Sequence, residues 1–163
     1  MELKVGTLSF DGHATLGDFV GKTSTIKGRM FGGPDLSSVT GWVEAPVGTL
    51  ASGNDLRDRD LRKSMEVDRY PTMRFDLTSV LVDSVNGDTS LVTLTGSFTI
   101  HGVKREVALP AKVARSGAGY RVLASTPLDV RDYRVGGLTK MLGLLKMNPT
   151  TEVHVDLTFA PTD

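Results

Sequence analysis

Hydrophobic and polar positions alternate with period two along most of this chain, the spacing of strands that bury one face. Leu8, Phe10, Gly12, Ala14 and Leu16 alternate with Ser9, Asp11, His13 and Thr15, and Ser24, Ile26, Gly28 and Met30 with Thr25, Lys27 and Arg29. Val39, Gly41, Val43, Ala45 and Val47 form a third face, with Trp42 and Glu44 opposite. Met73, Phe75, Leu77, Ser79 and Leu81 form the next; Tyr120, Val122, Ala124 and Leu128, then Val153, Val155, Leu157 and Phe159, come last. Turn signals such as Gly32-Gly33-Pro34-Asp35, Asn86-Gly87-Asp88 and Ser116-Gly117-Ala118-Gly119 separate them. With the hairpin described next, the pattern predicts about eight strands, each with one apolar face.

The stretch GSFTIHGVKREVALP, Gly96 to Pro110, reads as that hairpin. His101-Gly102 supplies a two-residue loop, because glycine in second place suits a type I′ turn, whose central residues both take positive φ. Stepping outward pairs Ile100 with Val103, Phe98 with Arg105, Gly96 with Val107, Leu94 with Leu109 and Val92 with Ala111. One face is then apolar except for Arg105. The other collects Thr93, Thr95, Ser97, Thr99 and His101 opposite Lys104, Glu106, Ala108, Pro110 and Lys112, and is expected to be wet. On this reading His101 sits at a solvated tip and serves the turn.

Two segments break the alternation. Asn54 to Met65 predicts a helix: Asn54 can cap it, and Asp55/Arg59 and Asp58/Arg62 are acid-before-base pairs four apart. Thr139 to Met147, TKMLGLLKM, predicts a second, short apolar helix that Asn148-Pro149 ends.

An antiparallel sheet with one oily face can close as a barrel or pack as a sandwich. A barrel of about eight strands is filled by its own side chains or holds one elongated ligand. Gly12, Ala14, Gly28, Gly41, Gly96, Ala111 and Ala124 fall on the inward face. Such small residues leave volume for something oily, or else mark bends in a packed barrel.

The 163 residues fit a single domain, 1–163. Nineteen basic and nineteen acidic side chains cancel, so bulk charge draws the chain neither to nucleic acid nor to an anionic membrane. The absence of cysteine excludes disulfides, thiolate metal sites and cysteine nucleophiles. No run reaches membrane-spanning length; the most apolar window, Met141 to Met147, is interrupted by Gly143 and Lys146. The start, MELKVGTLSF, lacks the basic and apolar regions of a secretion signal, so the sequence reads as cytoplasmic, or periplasmic if a signal was trimmed.

Candidate chemistry is sparse. His13, His101 and His154 all fall at polar positions with no HxH or HExxH spacing, which argues against a metal site. There is no G-x-S-x-G elbow and no glycine-rich phosphate loop. The run RDRDLRK, Arg57 to Lys63, reads as a solvated helix face, or as a brace in which Arg57, Asp58 and Arg62 hold the helix to the wall. Arg105 either snorkels out of the barrel end or meets the polar head of a ligand.

Four blocks resemble the YceI-like domains: LGDFVGKTSTIKGRM, SGNDLRDRDLRKSMEVDRYPTMRF, LTGSFTIHGVKREVALP and MLGLLKMNPTTEVHVDLTF. Asn54, Arg57, Asp58, Leu61, Arg62, Tyr70 and Pro71 match that family's central pattern, and Arg105 stands where a basic residue is usual. Asp60 stands where many relatives have histidine, and Arg134 follows Tyr133 where glycine is frequent. The resemblance implies an all-β, closed antiparallel barrel of about eight strands, lipocalin-like, with the two short helices added. It implies binding, carriage or sequestration of a long-chain isoprenoid lipid, of polyprenyl or isoprenoid-quinone type, without catalysis. No cofactor is expected beyond such a lipid. The expected partner is an amphipathic isoprenoid, with a symmetric homodimer as the default assembly.

The residues expected to hold the tail are Phe10, Ile26, Val43, Phe75, Phe98, Leu109 and Val122, with Arg105 at the head and Met141, Leu142 and Leu145 as a flap. Two other readings stay open. One is an enzyme acting on a lipid or quinone head group through Arg57, Asp58 or Arg105. The other is a packed interaction module, in stress response, with a partner surface around Trp42.

Overall fold

Short turns make neighbours of consecutive strands, and the sheet follows the chain order almost throughout. The computed structural model, which describes residues 1–15, 17–136, 139–140 and 145–162, contains β1 (Glu2–Ala14), β2 (Gly17–Thr23), β3 (Lys27–Phe31), β4 (Thr40–Pro46), α1 (Asp55–Ser64), β5 (Thr72–Asn86), β6 (Thr89–Ile100), β7 (Val103–Ser116), β8 (Gly119–Asp129), β9 (Thr139–Lys140), β10 (Leu145–Lys146) and β11 (Thr150–Ala160). The main sheet runs β2-β1-β3-β4-β5-β6-β7-β8-β11 and closes on itself where β11 pairs β1, from Glu2↔Ala160 to Asp11↔Glu152. The result is a closed eight-stranded antiparallel barrel, lipocalin-like in form, with β2 as the extra strand. β2 pairs one half of β1 from Ala14↔Gly17 to Leu8↔Thr23, and β3 meets the opposite end at Glu2↔Arg29.

The β6–β7 hairpin has the expected register at all five pairs. His101 (φ 53°) and Gly102 (φ 72°) form its turn. In β5 the alternation fails, because the ladder to β6 shifts between Leu77 and Ser79 and again between Val82 and Ser84. Each bulge inserts a residue and turns the following side chains over. Val80 is therefore inward (8% exposed) and Leu81 outward (64%), which corrects the expected inward run through Ser79 and Leu81.

Helix α1 forms as expected, with the Asn54 side chain accepting from the Arg57 N–H at 3.0 Å. The described ends of the second predicted helix are not helical. Thr139 and Lys140 instead pair with Lys146 and Leu145, Met147 bridges to Ala14, and the Asn148 N–H donates to the His13 carbonyl at 2.7 Å. The described ends of the run thus find ladder partners, while 141–144 lie outside the described residues. Among the described residues α1 is the one α-helix.

β7 and β8 pair only from Ser116↔Gly119 to Ala111↔Ala124. Counting outward from that two-residue turn, every second pair exchanges hydrogen bonds, so Pro110/Ser125 and Ala108/Pro127 would come next. Each of those pairs lacks an N–H at its proline, and the ladder ends. The strands then separate toward the end that α1 covers, where the turn Val130–Tyr133 bridges them. The Val130 N–H donates to the Pro149 carbonyl (3.0 Å) on one side, and His101 Nδ1–H donates to the Tyr133 carbonyl (2.9 Å) on the other.

The interior divides into two packed groups. Val39, Val80, Val92, Leu109, Ala111, Val113 and Ala124 fill the end away from α1. Val47, Leu50, Met65, Tyr133 and Val135 lie at the helix end.

Candidate functional site

The site is built on glycines facing rings. Phe10 pairs with Gly21 and Phe19 with Gly12 across the β1–β2 hairpin. With no Cβ opposite, each ring folds over its partner strand, and a Cβ at either glycine would fall inside the facing ring. The two rings meet edge to face, 5.9 Å apart at 88°, a favoured aromatic geometry. Arg57 of α1 places its guanidinium 4.2 Å above the Phe19 ring.

Asp58, only 6% exposed, anchors the helix: it accepts from the Ser52 N–H at 3.0 Å and the Ser52 hydroxyl at 2.6 Å. Arg57 also donates to the Ser52 hydroxyl at 3.3 Å. The charged run is thus a brace through Arg57 and Asp58. Arg62 is not part of that brace: its carbonyl accepts from the Val67 N–H in a local bond that closes the end of the helix.

Beneath the helix lies a cavity of about 560 Å³. Phe10, Phe19, Leu61, Met65, Met73, Ile100 and Leu128 wall it, Tyr133 and Val135 close one side, and Asp18, Asn54, Arg57, Arg59 and Asp60 stand at its polar rim. Burial pushes the Tyr133 phenol above its ordinary pKa. A second, smaller void of about 80 Å³ lies deeper, among Met30, Val43, Phe75, Leu77, Val122 and Leu157. The inward glycines do not create the larger cavity. Gly12 and Gly21 lie under rings, and Gly28 and Gly41 face the backbone of the neighbouring strand. The space lies between the helix and the ends of β1, β2, β5, β6 and β8, whose residues line it.

The residues expected from sequence fall in several places. Phe10 lines the large cavity; Val43, Phe75 and Val122 line the small void; Leu109 is buried in the far core at 6% exposure; Ile26 is half-buried between β2 and β3. Phe98, with its ring 4.9 Å from that of Phe75, packs against both core groups. Arg105 is exposed and donates to the Asp132 carbonyl at 3.4 Å, at the barrel end. Met141 and Leu142 lie outside the described residues, and Leu145 enters only through the backbone of β10. Sequence reasoning missed Phe19 and Tyr133 at the cavity. The facing of Phe19 by Gly12 was a readable signal, whereas nothing local to Tyr133 announced it.

His101 requires a correction. It is 9% exposed, not solvated: Nδ1–H donates to Tyr133, Nε2 pairs with Glu66 at 2.5 Å, and Tyr70 packs edge to face at 4.8 Å. The chain leaving α1, with Glu66 in the left-handed region (φ 49°), crosses the hairpin tip and buries it. Ser97, on the face expected to be wet, is 2% exposed, a short side chain between the longer cross-strand neighbours Asp76 and Glu106. The other histidines lie elsewhere. His13 pairs with Asp18 at 2.9 Å, and His154 sits on the outer wall between Asp11 (2.9 Å) and Ser125 (2.6 Å), away from the cavity. Among the described residues no cluster has the composition to hold a metal ion, and no helix is long and apolar enough to cross a membrane.

Solved structures share this architecture. BcnA of Burkholderia cenocepacia superposes with a TM-score of 0.79 at 15% identity, covering 95% of this chain and 96% of that one. A polyisoprenoid binding domain from Saccharophagus degradans, implicated in plant cell wall breakdown, gives 0.78 at 19% identity over 98% of each chain. The YCEI protein of Campylobacter jejuni gives 0.70 at 14% identity over 88% of this chain and 85% of that one. No curated protein matches the sequence. The sequence itself matches the YceI-like domain over residues 4–159, nearly its whole length, in a chain with that barrel and a covered cavity. This protein belongs to the YceI-like domain family.

Proposed function

We propose that the protein binds a long-chain isoprenoid lipid, of polyprenyl or isoprenoid-quinone type, tail inward in the barrel, and carries or sequesters it without turnover. The observation that carries this reading is the apolar cavity of about 560 Å³ beneath α1, with polar groups gathered at its rim. Apolar walls with a few polar groups at one end suit an amphiphile. Each tail methylene taken from water contributes about 0.8 kcal/mol, so affinity needs few polar contacts. The printed description of the Saccharophagus degradans domain supports the same ligand class. Phe10 and Phe19 grip the tail nearest the rim, while Arg57, Arg59 and Asp60 face the head group. Asp58, the buried acid beside the cavity, is engaged by Ser52 rather than free for proton transfer, which favours binding over head-group chemistry. No cofactor is required.

The test is organic extraction of the purified protein with mass spectrometry of what is released, followed by titration with a polyprenyl quinone. The expected result is a bound isoprenoid, and a rise in melting temperature equivalent to about 2.7 kcal/mol at one hundred times Kd. No released lipid and no thermal shift on titration would sink the proposal.

A further inference from the structure

On the outer wall, away from the cavity, His154 has a partner at each ring nitrogen. Ser125 of β8 stands directly across from it in the β8–β11 ladder, and Asp11 of β1 stands diagonally across on the other side. The Ser125 Oγ lies 2.6 Å from Nδ1, and an Asp11 carboxylate oxygen lies 2.9 Å from Nε2. An ionised carboxylate only accepts, so Nε2 carries the proton and donates to Asp11. Nδ1 keeps its lone pair and accepts from the Ser125 hydroxyl. Acid, imidazole and serine thus stand in series, drawn from three adjacent strands and therefore without any local motif in the sequence.

The surroundings give this series somewhere to act. Ser125 is exposed and sits just past Ala111↔Ala124, where the β7–β8 ladder ends. An open groove crosses the wall there, lined among others by Leu91, Pro110, Lys112, Leu123, Ser125 and His154. Leu91 is 52% exposed and, with Leu123, offers apolar surface to a short acyl chain. The acids of the groove are engaged: Asp156 accepts from Arg121 at 2.9 and 2.6 Å, and Asp83 from Thr93 at 2.9 Å. Lys112 lies opposite Leu123, and Ser125 follows two residues along the same face, a diagonal separation of about 7–8 Å that a lysine side chain spans.

We propose that Ser125, His154 and Asp11 form a second site, which hydrolyses short-chain carboxylic esters and is independent of what the cavity beneath α1 binds. Ser125 Oγ attacks the ester carbonyl carbon as its proton passes to His154 Nδ1. The carbonyl electron pair moves onto oxygen, where the Lys112 ammonium meets the developing charge. The bond to the alcohol oxygen then breaks, and the alcohol leaves with the proton from His154. Water, deprotonated by the same nitrogen, attacks the acyl-serine, releasing the carboxylic acid and restoring the serine hydroxyl. Asp11 is a positioning residue that holds the imidazole in the tautomer the attack requires.

The experiment treats the purified protein with a fluorophosphonate probe, locates the modified peptide by mass spectrometry, and follows p-nitrophenol release from p-nitrophenyl butyrate. Wild type is compared with Ser125→Ala, Asp11→Asn and Asp11→Glu. The expected result is an adduct on Ser125 and turnover at least about tenfold lower in Ser125→Ala. Asp11→Asn should lower kcat at least about tenfold while KM changes less than about twofold, and Asp11→Glu should restore part of the rate. The adduct is mapped on the wild type, so it decides the identity of the nucleophile even if a variant does not fold. No adduct on Ser125, or turnover unchanged in a folded Ser125→Ala, overturns the site and leaves the reading of the cavity untouched.

Discussion

Substituting His101 measures how firmly the covered end of the barrel is fastened. The side chain contributes the hydrogen bond to the buried turn at Tyr133, the pair with Glu66 and the edge-to-face contact with Tyr70. A hydrogen bond to a carbonyl is worth about 1 kcal/mol net, and more when its loss leaves the partner buried and unpaired. The Glu66 pair counts for no more than about 1 kcal/mol, because that carboxylate is 42% exposed and water screens it. The aromatic contact adds about 0.5–1.5 kcal/mol. His101→Ala should therefore lose about 3 kcal/mol in total, which for a chain of this size lowers the melting temperature by roughly 6–12 °C. Both variants keep the left-handed backbone at φ 53°, which strains alanine but not glycine, so His101→Gly should recover about 1 kcal/mol of that loss. Urea unfolding followed through the single tryptophan, Trp42, gives both values. A loss below about 1 kcal/mol in His101→Ala would refute the view that the turn fastens the end.

Two further outcomes follow from the contacts. Gly12→Ala drives a methyl group into the Phe19 ring and should cost about 1–3 kcal/mol, but close to nothing in a Phe19→Ala background; a double-mutant cycle with no coupling would contradict the packing. Hydrogen bonds from Arg121 hold Asp156 below its ordinary pKa, and bonds from the side chain and N–H of Arg131 do the same for Asp129. A depressed carboxylate stabilises the fold above its unfolded pKa and loses that contribution as pH falls through the folded value. Stability should thus decline below about pH 4, with a shallower decline in Asp156→Asn and Asp129→Asn, read from unfolding midpoints against pH.

Features encoded locally were legible in the sequence. The His101-Gly102 turn set every pair of the β6–β7 hairpin, and Asn54 with the charge spacing after it marked α1. Features that depend on distant strands were not. Nothing in the alternation of β5 reveals its two bulges, since Leu81 is as apolar as Val80 and only the partner strand decides which is inward. His101 looked solvated because its neighbours in sequence are polar, and the residues that bury it come from 66 to 70 and from 133. TKMLGLLKM carries apolar content without a decisive period, and at its described ends pairing partners chose the structure. At the site, composition suggested an oily interior, but which residues line the cavity depends on contacts between elements distant in the chain.

Pro110 and Pro127 were introduced as the reason one ladder stops. They also govern what the parted strands present to other chains. A separated strand edge is ordinarily a template on which a foreign strand can add, the first step of aggregation. Here the two edges turn an imino nitrogen outward at the positions where an incoming carbonyl would seek a donor. The residues that end the ladder therefore also remove a donor from each parted edge, which makes these edges poorer templates for a strand of a neighbouring chain.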